Sequence, residues 1–314
     1  MNTITLPHSG LVSSRLAYGC WRLAGTSDPT LVTPEKVAHA HESLKAAYEA
    51  GYTFFDHADV YCAGMAEGIF GQVLQAVSGM RDRIVIGTKC GVRRPNEPDP
   101  GSPYRYDFSA EHIVRSCEES LTRLGVERID LYLLHRPDYL MDPQEVAAAF
   151  SRLKQNGKVR EFGVSNFRPS QVAMLQKVCP MRLIVNQVEI SLSRLDTFED
   201  GTVDQCQTEG ICPMAWSPLG GGRLVSSGPV GMQDPNHARR LKLQDTMDQI
   251  AREFETTRMV IALAWLLKHP SGIVPIVGSN NPDRIREAVR ATTVTLTREH
   301  WYRLMESARG QRLP

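Results

Sequence analysis

The stretch Phe54-Phe55-Asp56-His57-Ala58-Asp59-Val60-Tyr61 is a short β-type run stopped by an acid, with a tyrosine five positions further on. Two later runs end the same way. Ile84-Val85-Ile86-Gly87-Thr88 stops at Lys89, and Ile129-Asp130-Leu131-Tyr132-Leu133-Leu134 stops at His135. If such strands are parallel, their ends share one face of the sheet, and four proton-handling side chains meet there.

The rest of the chain repeats the pattern. Eight short apolar runs follow one another, at 16–19, 52–55, 84–88, 129–134, 162–164, 183–186, 211–216 and 273–277. They are continuous rather than alternating, which fits strands buried on both faces in a parallel sheet. Helical stretches separate them. Thr33-Pro34-Glu35 reads as a helix start, and Gly51 as its end. Further helices are expected from about 66 to 76, from Ser109 to Gly125, from Asp142 to Asn156, after Pro169, and over 203–209. Four more cover 241–255, 260–268, 282–290 and 297–308. Asp142-Pro143-Gln144-Glu145 has the spacing of a capping box.

Strands alternating with helices leave two architectures, an open doubly wound sheet and a closed barrel. A doubly wound nucleotide-binding sheet carries a G-x-G-x-x-G turn after its first strand, and this chain has none. A count of eight favours an α/β fold of the (β/α)8 TIM barrel type, spanning 1–314 as one domain. Residues 3–6 and 11–14, around Pro7-His8-Ser9-Gly10, add a short N-terminal hairpin, and 297–308 an extra C-terminal helix. Two long segments, 93–106 and 220–239, read as loops on the active face.

At 314 residues, with 42% hydrophobic and 23% charged residues, the chain can bury a sizeable core. A net charge of +1 gives no footprint for nucleic acid or an anionic membrane. The start, Met1-Asn2-Thr3-Ile4-Thr5-Leu6-Pro7, lacks a basic, apolar signal pattern, so a cytoplasmic location is expected. Seven scattered cysteines without a C-x-x-C pair fit a reducing compartment rather than a disulfide framework.

The chemistry of the four strand-end groups fits together. A phenol has a reference pKa of ~10, too high to donate readily at neutral pH. A nearby ammonium lowers it. Lys89 can do so, Asp56 can hold Lys89, and His135 can bond a substrate oxygen or pass a proton. Such a set can protonate a carbonyl oxygen while something else attacks its carbon.

These residues carry a resemblance to the aldo-keto reductase superfamily over nearly the whole chain. Phe55-Asp56-His57-Ala58-Asp59-Val60-Tyr61 resembles the family's D-x-A-x-x-Y signature, with Glu67 where the family often has an acid. Leu133-Leu134-His135-Arg136-Pro137-Asp138 resembles its fourth-strand motif. The stretch from Gly157 to Phe167, GKVREFGVSNF, is close to its G-K-x-R-x-x-G-V-S-N-F signature. The usual Thr after the Asp is His57 here, and the usual Gly after the Tyr is Cys62. The resemblance implies a barrel that reduces aldehydes or ketones with NADPH and without metal. Tyr61 would be the general acid, Lys89 its pKa-lowering partner, Asp56 the anchor of Lys89, and His135 the group that orients the carbonyl.

The resemblance also implies a cofactor track. Ser165, Asn166 and Gln187 would fix the carboxamide, and Trp216 would stack on the nicotinamide. Ser217, Pro218, Leu219 and Gly220 would fold over the pyrophosphate. Gly278, Ser279 and the following helix start would meet phosphate, with Arg284 on the 2′-phosphate and Glu287 on adenine. Many members have Lys at Gly278 and Asn at Ala288, so NADP(H) is expected and NAD(H) stays open. Trp21, Arg22, Tyr104, Tyr106 and the loop after Gly220 would wall the pocket, beside His135. The expected partner is a small carbonyl compound, and a monomer is the default. Two rivals remain at this stage. One is a cofactor-binding regulatory protein similar to potassium-channel β subunits. The other is a metal-dependent barrel hydrolase using His57, Asp59, Cys62 or Cys90.

Overall fold

The structure is a computed structural model that describes residues 1–226 and 237–313. The chain opens with the hairpin strands β1 (Thr3–Thr5) and β2 (Val12–Ser14), which pair antiparallel. The barrel strands are β3 (Ala17–Gly19), β4 (Phe54–Asp56), β5 (Val85–Cys90), β8 (Ile129–Leu134), β9 (Val159–Ser165), β10 (Leu183–Glu189), β11 (Cys212–Trp216) and β12 (Val274–Val277). They close in chain order, with β12 pairing β3, and every pairing in the barrel is parallel. All eight C-terminal ends therefore open on one face.

The interior is filled. Ala17, Phe54, Val85, Leu131, Leu133, Val185, Met214, Val274 and Ile276 form one buried cluster with Leu6 and Leu11 from the N-terminal hairpin turn. The hairpin thus plugs the end away from the strand C-termini. Two glycines make the interior possible. A Cβ at Gly87 would meet the Phe54 ring at 2.8 Å, and one at Gly163 would meet Leu133 at 2.6 Å. Burying a side chain of Phe54's size contributes about 1.5–3 kcal/mol. The alternate strand residues, Phe55, Ile86, Tyr132 and Leu134 among them, pack outward under the helices in the larger cluster.

Most helices start and stop within about two residues of where the sequence places them, but the one expected from 241 begins at His237, inside the segment read as a loop. They are α1 (Pro34–Glu49), α2 (Met65–Ala76), α3 (Ala110–Leu124), α4 (Pro143–Gln155) and α5 (Pro169–Gln176), then α6 (Thr202–Glu209), α7 (His237–Glu253), α8 (Arg258–Leu267), α9 (Pro282–Ala288) and α10 (Arg298–Arg309). Thr33 and Ser109 accept from the backbone N–H groups of Lys36 and His112, and Gly125 takes a left-handed conformation with φ 65 to end α3. The capping box expected at Asp142 does not form. Asp142 accepts from Gln144 N–H, but Glu145 reaches across to accept from Ala110 N–H at 2.9 Å, tying α4 to the start of α3. A neighbouring helix N-terminus offers the carboxylate a better partner than its own cap.

One element is absent from the sequence reading. Within the segment expected to be a loop, β6 (Val92–Arg93) pairs antiparallel with β7 (Arg105–Tyr106). Two-residue strands have no hydrophobic period to detect. An ion pair between Arg93 and Asp107 at 3.1 Å fastens the ribbon at the barrel mouth. Among the described residues no helix is long and apolar enough to cross a membrane.

Candidate active site

Backbone strain collects at the open end of the barrel. Seven described non-glycine residues have positive φ, and Cys62, Ala63, Asn166 and Ser217 lie just past β4, β9 and β11. Each such residue costs about 1–2 kcal/mol, so surrounding contacts must hold it. Tyr61 starts a kinked turn (Tyr61–Gly64) that is interrupted at Cys62 (φ 46, ψ 47) and Ala63 (φ 55, ψ 36), both left-handed. Cys62 thus occupies a glycine-type backbone position, where the family's usual Gly carries no steric penalty. Burial pushes its thiol up.

The four strand-end groups meet. Asp56 ends β4, Lys89 lies on β5, and β5 pairs β4 in register Asp56↔Gly87. The Lys89 side chain is fully buried. Its Nζ donates to Asp56 Oδ2 at 2.9 Å, to the His57 carbonyl at 2.6 Å and to the Tyr61 hydroxyl at 3.1 Å. An ammonium has three hydrogens, and all three are directed. Glu67 on α2 braces the same strand from outside. It accepts from Thr88 Oγ1 at 2.6 Å and from Arg123 Nε at 2.7 Å.

The electrostatics differ from expectation at Tyr61. Lys89 does pull the phenol down, but burial outweighs it and Asp56 adds to burial, so the Tyr61 pKa lies above the ordinary tyrosine value. Burial also works against the Lys89 ammonium. Asp56 and Tyr61 together overcome it, and Lys89 lies above its ordinary value. Both groups hold their protons at neutral pH.

His135 follows β8. Its ring meets Tyr61 edge-on, with centroids 5.9 Å apart at 77°. Burial first, then Lys89 and Arg136, hold its pKa well below the usual histidine value. The ring is therefore neutral, with one N–H able to donate a hydrogen bond. Its buried Nδ1 has no partner, which favours the tautomer protonated on Nε2.

The amide and hydroxyl groups expected nearby are present and interlocked. Ser165 Oγ donates to the Gln187 carbonyl at 2.8 Å, and Asn166 Nδ2 donates to Ser165 Oγ at 2.8 Å and to the His135 carbonyl at 3.1 Å. Trp216 Nε1 donates to Asn166 Oδ1 at 2.9 Å. Gln187 lies deeper, with its Nε2 donating to Asp56 Oδ1 at 2.8 Å.

The aldo/keto reductase family model matches residues 15–309 of this chain. The chain belongs to the aldo/keto reductases. A relative named 6-dehydroglucose reductase, from Novosphingobium aromaticivorans, is 42% identical over 98% of this chain and 96% of its own length. Another of that name, from Agrobacterium fabrum, is 40% identical over 95% of each chain. The solved structure of a glycerol dehydrogenase from Gluconobacter oxydans superposes with a TM-score of 0.88 at 25% identity, covering 99% of this chain and 97% of that one.

On this aldo/keto reductase the remaining candidate residues lie around the same mouth. Ser217 is left-handed at φ 49, Pro218 is buried, and the Gly220 amide donates to the Ser217 carbonyl at 2.8 Å. Leu219 packs partly buried against the core. Of the loop expected over 220–239, residues 227–236 lie outside the described residues. Ser279 accepts Tyr18 O–H on its carbonyl and Asn281 N–H on its Oγ, and Gly278 precedes it just past β12. The helix start after Ser279 is already capped. Asn281 Oδ1 takes the N–H groups of Asp283 and Arg284, because an N-cap asparagine satisfies its own first turn. Those two N–H groups are therefore already satisfied within the protein. Arg284 is exposed and makes no ion pair among the described residues, whereas Arg286 pairs with Asp283 at 3.4 Å. Glu287 lies half-buried on α9.

Trp21 is 60% exposed, with the Arg22 guanidinium 5.4 Å over its ring. Asn280 Nδ2 donates to the Arg22 carbonyl, joining that segment to the loop after β12. Tyr104 and Tyr106 meet edge-on at 5.9 Å. The groups fit a nicotinamide dinucleotide on two counts. Trp216 is a partly buried flat ring whose edge is fixed by Asn166, and Arg284 is an exposed cation with no ion pair among the described residues. His57, Asp59, Cys62 and Cys90 are not assembled as ligands, since among the described residues no three His, Cys, Asp or Glu side chains converge as a metal site.

Two features were not read from the sequence. One is Arg136, whose guanidinium stands 5.3 Å over the Trp216 ring and makes no ion pair among the described residues. Its place beside His135 was the available signal. The other is the second anchor of Asp56, which depends on contact across the barrel that no spacing encodes.

Proposed function

We propose that this aldo/keto reductase reduces an aldehyde carbonyl on an oxygen-rich, sugar-type substrate, using NAD(P)H and Tyr61 as the proton donor. The observation that carries the reading is the hydrogen bond from buried Lys89 Nζ to the Tyr61 hydroxyl, backed by Asp56. The substrate oxygen accepts from Tyr61 O–H and from His135 Nε2–H. A nicotinamide held by these residues would supply a hydride to the carbonyl carbon. The C=O π bond opens, a C–H bond forms, and negative charge grows on oxygen. Tyr61 hands its proton to that oxygen, giving the alcohol. The phenolate left behind is stabilised by the Lys89 ammonium, held in place by Asp56. Solvent then restores the phenol.

Ser165 and Asn166 would hold the carboxamide, and Trp216 would stack on the ring it belongs to. Ser217 to Leu219, Gly278 and Ser279 would line the phosphates, and Arg284 with Glu287 the adenosine end. An unpaired Arg284 favours NADPH over NADH, since a guanidinium fork suits phosphate oxygens. Two relatives named 6-dehydroglucose reductase support a sugar-type carbonyl, as does Arg136, a hydrogen-bond fork at the mouth. The test is cofactor oxidation against matched polyhydroxylated and apolar aldehydes. A clear preference for the polyhydroxylated member is expected, and equal or reversed rates would remove the substrate assignment.

A further inference from the structure

The Gln187 side chain crosses the barrel. It leaves β10, which in the closed order is separated from β4 by β11, β12 and β3, and its Nε2 donates to Asp56 Oδ1 at 2.8 Å. Both side chains are buried, Gln187 at 2% and Asp56 at 3% exposure. Asp56 therefore has one donor on each carboxylate oxygen, with Gln187 on Oδ1 and Lys89 on Oδ2. A carboxylate held at one oxygen can still swing about its Cβ–Cγ bond. One held at both from opposite walls cannot.

We propose that Gln187 is a positioning residue for the proton donor, locking the plane of Asp56 so that Lys89 stays aimed at Tyr61. This rests on the reading of Tyr61 as the acid. The role is separate from holding a cofactor carboxamide, because the bond exists wholly within the protein. The register supports it. Gln187 pairs with Ser165 on β9 and with Met214 on β11, so its backbone is fixed on both sides and the side chain projects from a rigid strand. Without the Nε2–H donor, Asp56 is free to turn away from Lys89. The ammonium then loses part of the attraction that raises its pKa, and it holds the departing phenolate less well.

The experiment compares Gln187→Met, a near-isosteric change without the donor, in wild-type and Asp56→Ala backgrounds at saturating cofactor and substrate. Expected for Q187M is a fall in kcat of roughly 10- to 100-fold, the effect of losing a hydrogen bond to a charged group. The alkaline limb of the kcat profile moves to lower pH. The Kd for NADPH, read by fluorescence, is followed in parallel, so that any lost carboxamide contact is read apart from the fall in kcat at saturating cofactor. In the D56A background Q187M has no further effect, because Asp56 is the group through which it acts. Effects of Q187M and D56A that multiply would overturn the proposal. So would a tenfold weaker NADPH Kd with kcat and the alkaline limb unchanged. If Q187M does not fold, Gln187→Glu asks the same question. At low pH its carboxyl proton replaces the donor, and as pH rises two facing carboxylates repel, so kcat gains a new ionisation at saturating cofactor. Absence of that ionisation overturns the role. Tyr61→Phe separates the two readings. Wild-type kcat in Y61F removes the proton-donor assignment and the proposal with it. A large loss in Y61F alongside multiplicative Q187M and D56A effects removes only the part assigned to Gln187.

Discussion

The Lys89 ammonium donates to the Tyr61 hydroxyl at 3.1 Å while its other hydrogens go to Asp56 and the His57 carbonyl. The donor is thus held by three bonds before any substrate arrives. Lys89→Met removes the charge that stabilises the phenolate, and kcat should fall by about 10²–10⁴-fold, the usual worth of acid catalysis. The pH profile has a definite sign. Burial holds Tyr61 above its ordinary value, and Asp56 with Tyr61 hold Lys89 above its own. Wild-type kcat should stay flat across neutral pH and decline only on the far alkaline side. A decline beginning near pH 7 in a steady-state profile would contradict this.

Arg284 is the exposed cation on α9 that makes no ion pair among the described residues. Arg284→Ala should lower the preference for NADPH over NADH by roughly tenfold or more, the loss of a charge-assisted contact. The KM values for the two cofactors measure it. An unchanged ratio would take Arg284 out of the cofactor site.

His57 is the buried residue that replaces a smaller neighbour in the family pattern. Its ring packs 4.6 Å from Phe70, both ring nitrogens lack hydrogen-bond partners, and burial, then Lys89, hold its pKa at about 3. Between that value and the free-histidine value of ~6.5 the unfolded chain binds more protons than the native one. Stability from this group is complete above ~6.5 and is lost as pH falls towards the folded value. At pH 5 the cost is about 2 kcal/mol. His57→Leu fills the same space without titrating, so chemical denaturation between pH 7 and pH 5 should show a shallower loss than wild type. An equal loss in both would show that His57 is not the titrating group. His112, held at about 4 by burial, then Arg93, adds a second contribution over the same range in both proteins.

The barrel was legible because its cues are local. Continuous apolar runs, Thr33 and Ser109 at helix starts, and Gly125 at a helix end each act within a few residues. The four proton-handling groups were legible because each lies at or just past the end of a strand, and parallel strands bring such ends together. What escaped depends on contacts between distant segments. Glu145 caps α3 rather than its own helix because Ala110 N–H is within reach. Tyr61 lies above rather than below its ordinary pKa because spacing reveals a neighbouring ammonium but not the depth of burial. The Gln187–Asp56 bond spans the barrel, and sequence separation says nothing about that distance.

Arg136 stands over Trp216 beside the neutral ring of His135. Arg136→Met keeps the length and removes the fork. The kcat/KM for a polyhydroxylated aldehyde should fall about tenfold relative to an apolar aldehyde, in line with hydrogen bonds from a charged donor. If both substrates lose equally, Arg136 supports the site without selecting the substrate.

The central claim is that Tyr61 supplies the proton in a nicotinamide-dependent reduction. NADPH oxidation by wild type and Tyr61→Phe, measured over many turnovers with a polyhydroxylated aldehyde, tests it directly, with NADPH binding followed in parallel by fluorescence. Wild type should sustain turnover, and Y61F should lose about 10²–10⁴-fold in kcat with NADPH affinity retained. Near-wild-type turnover by Y61F, or no turnover by the wild-type enzyme across a broad carbonyl panel, would contradict it.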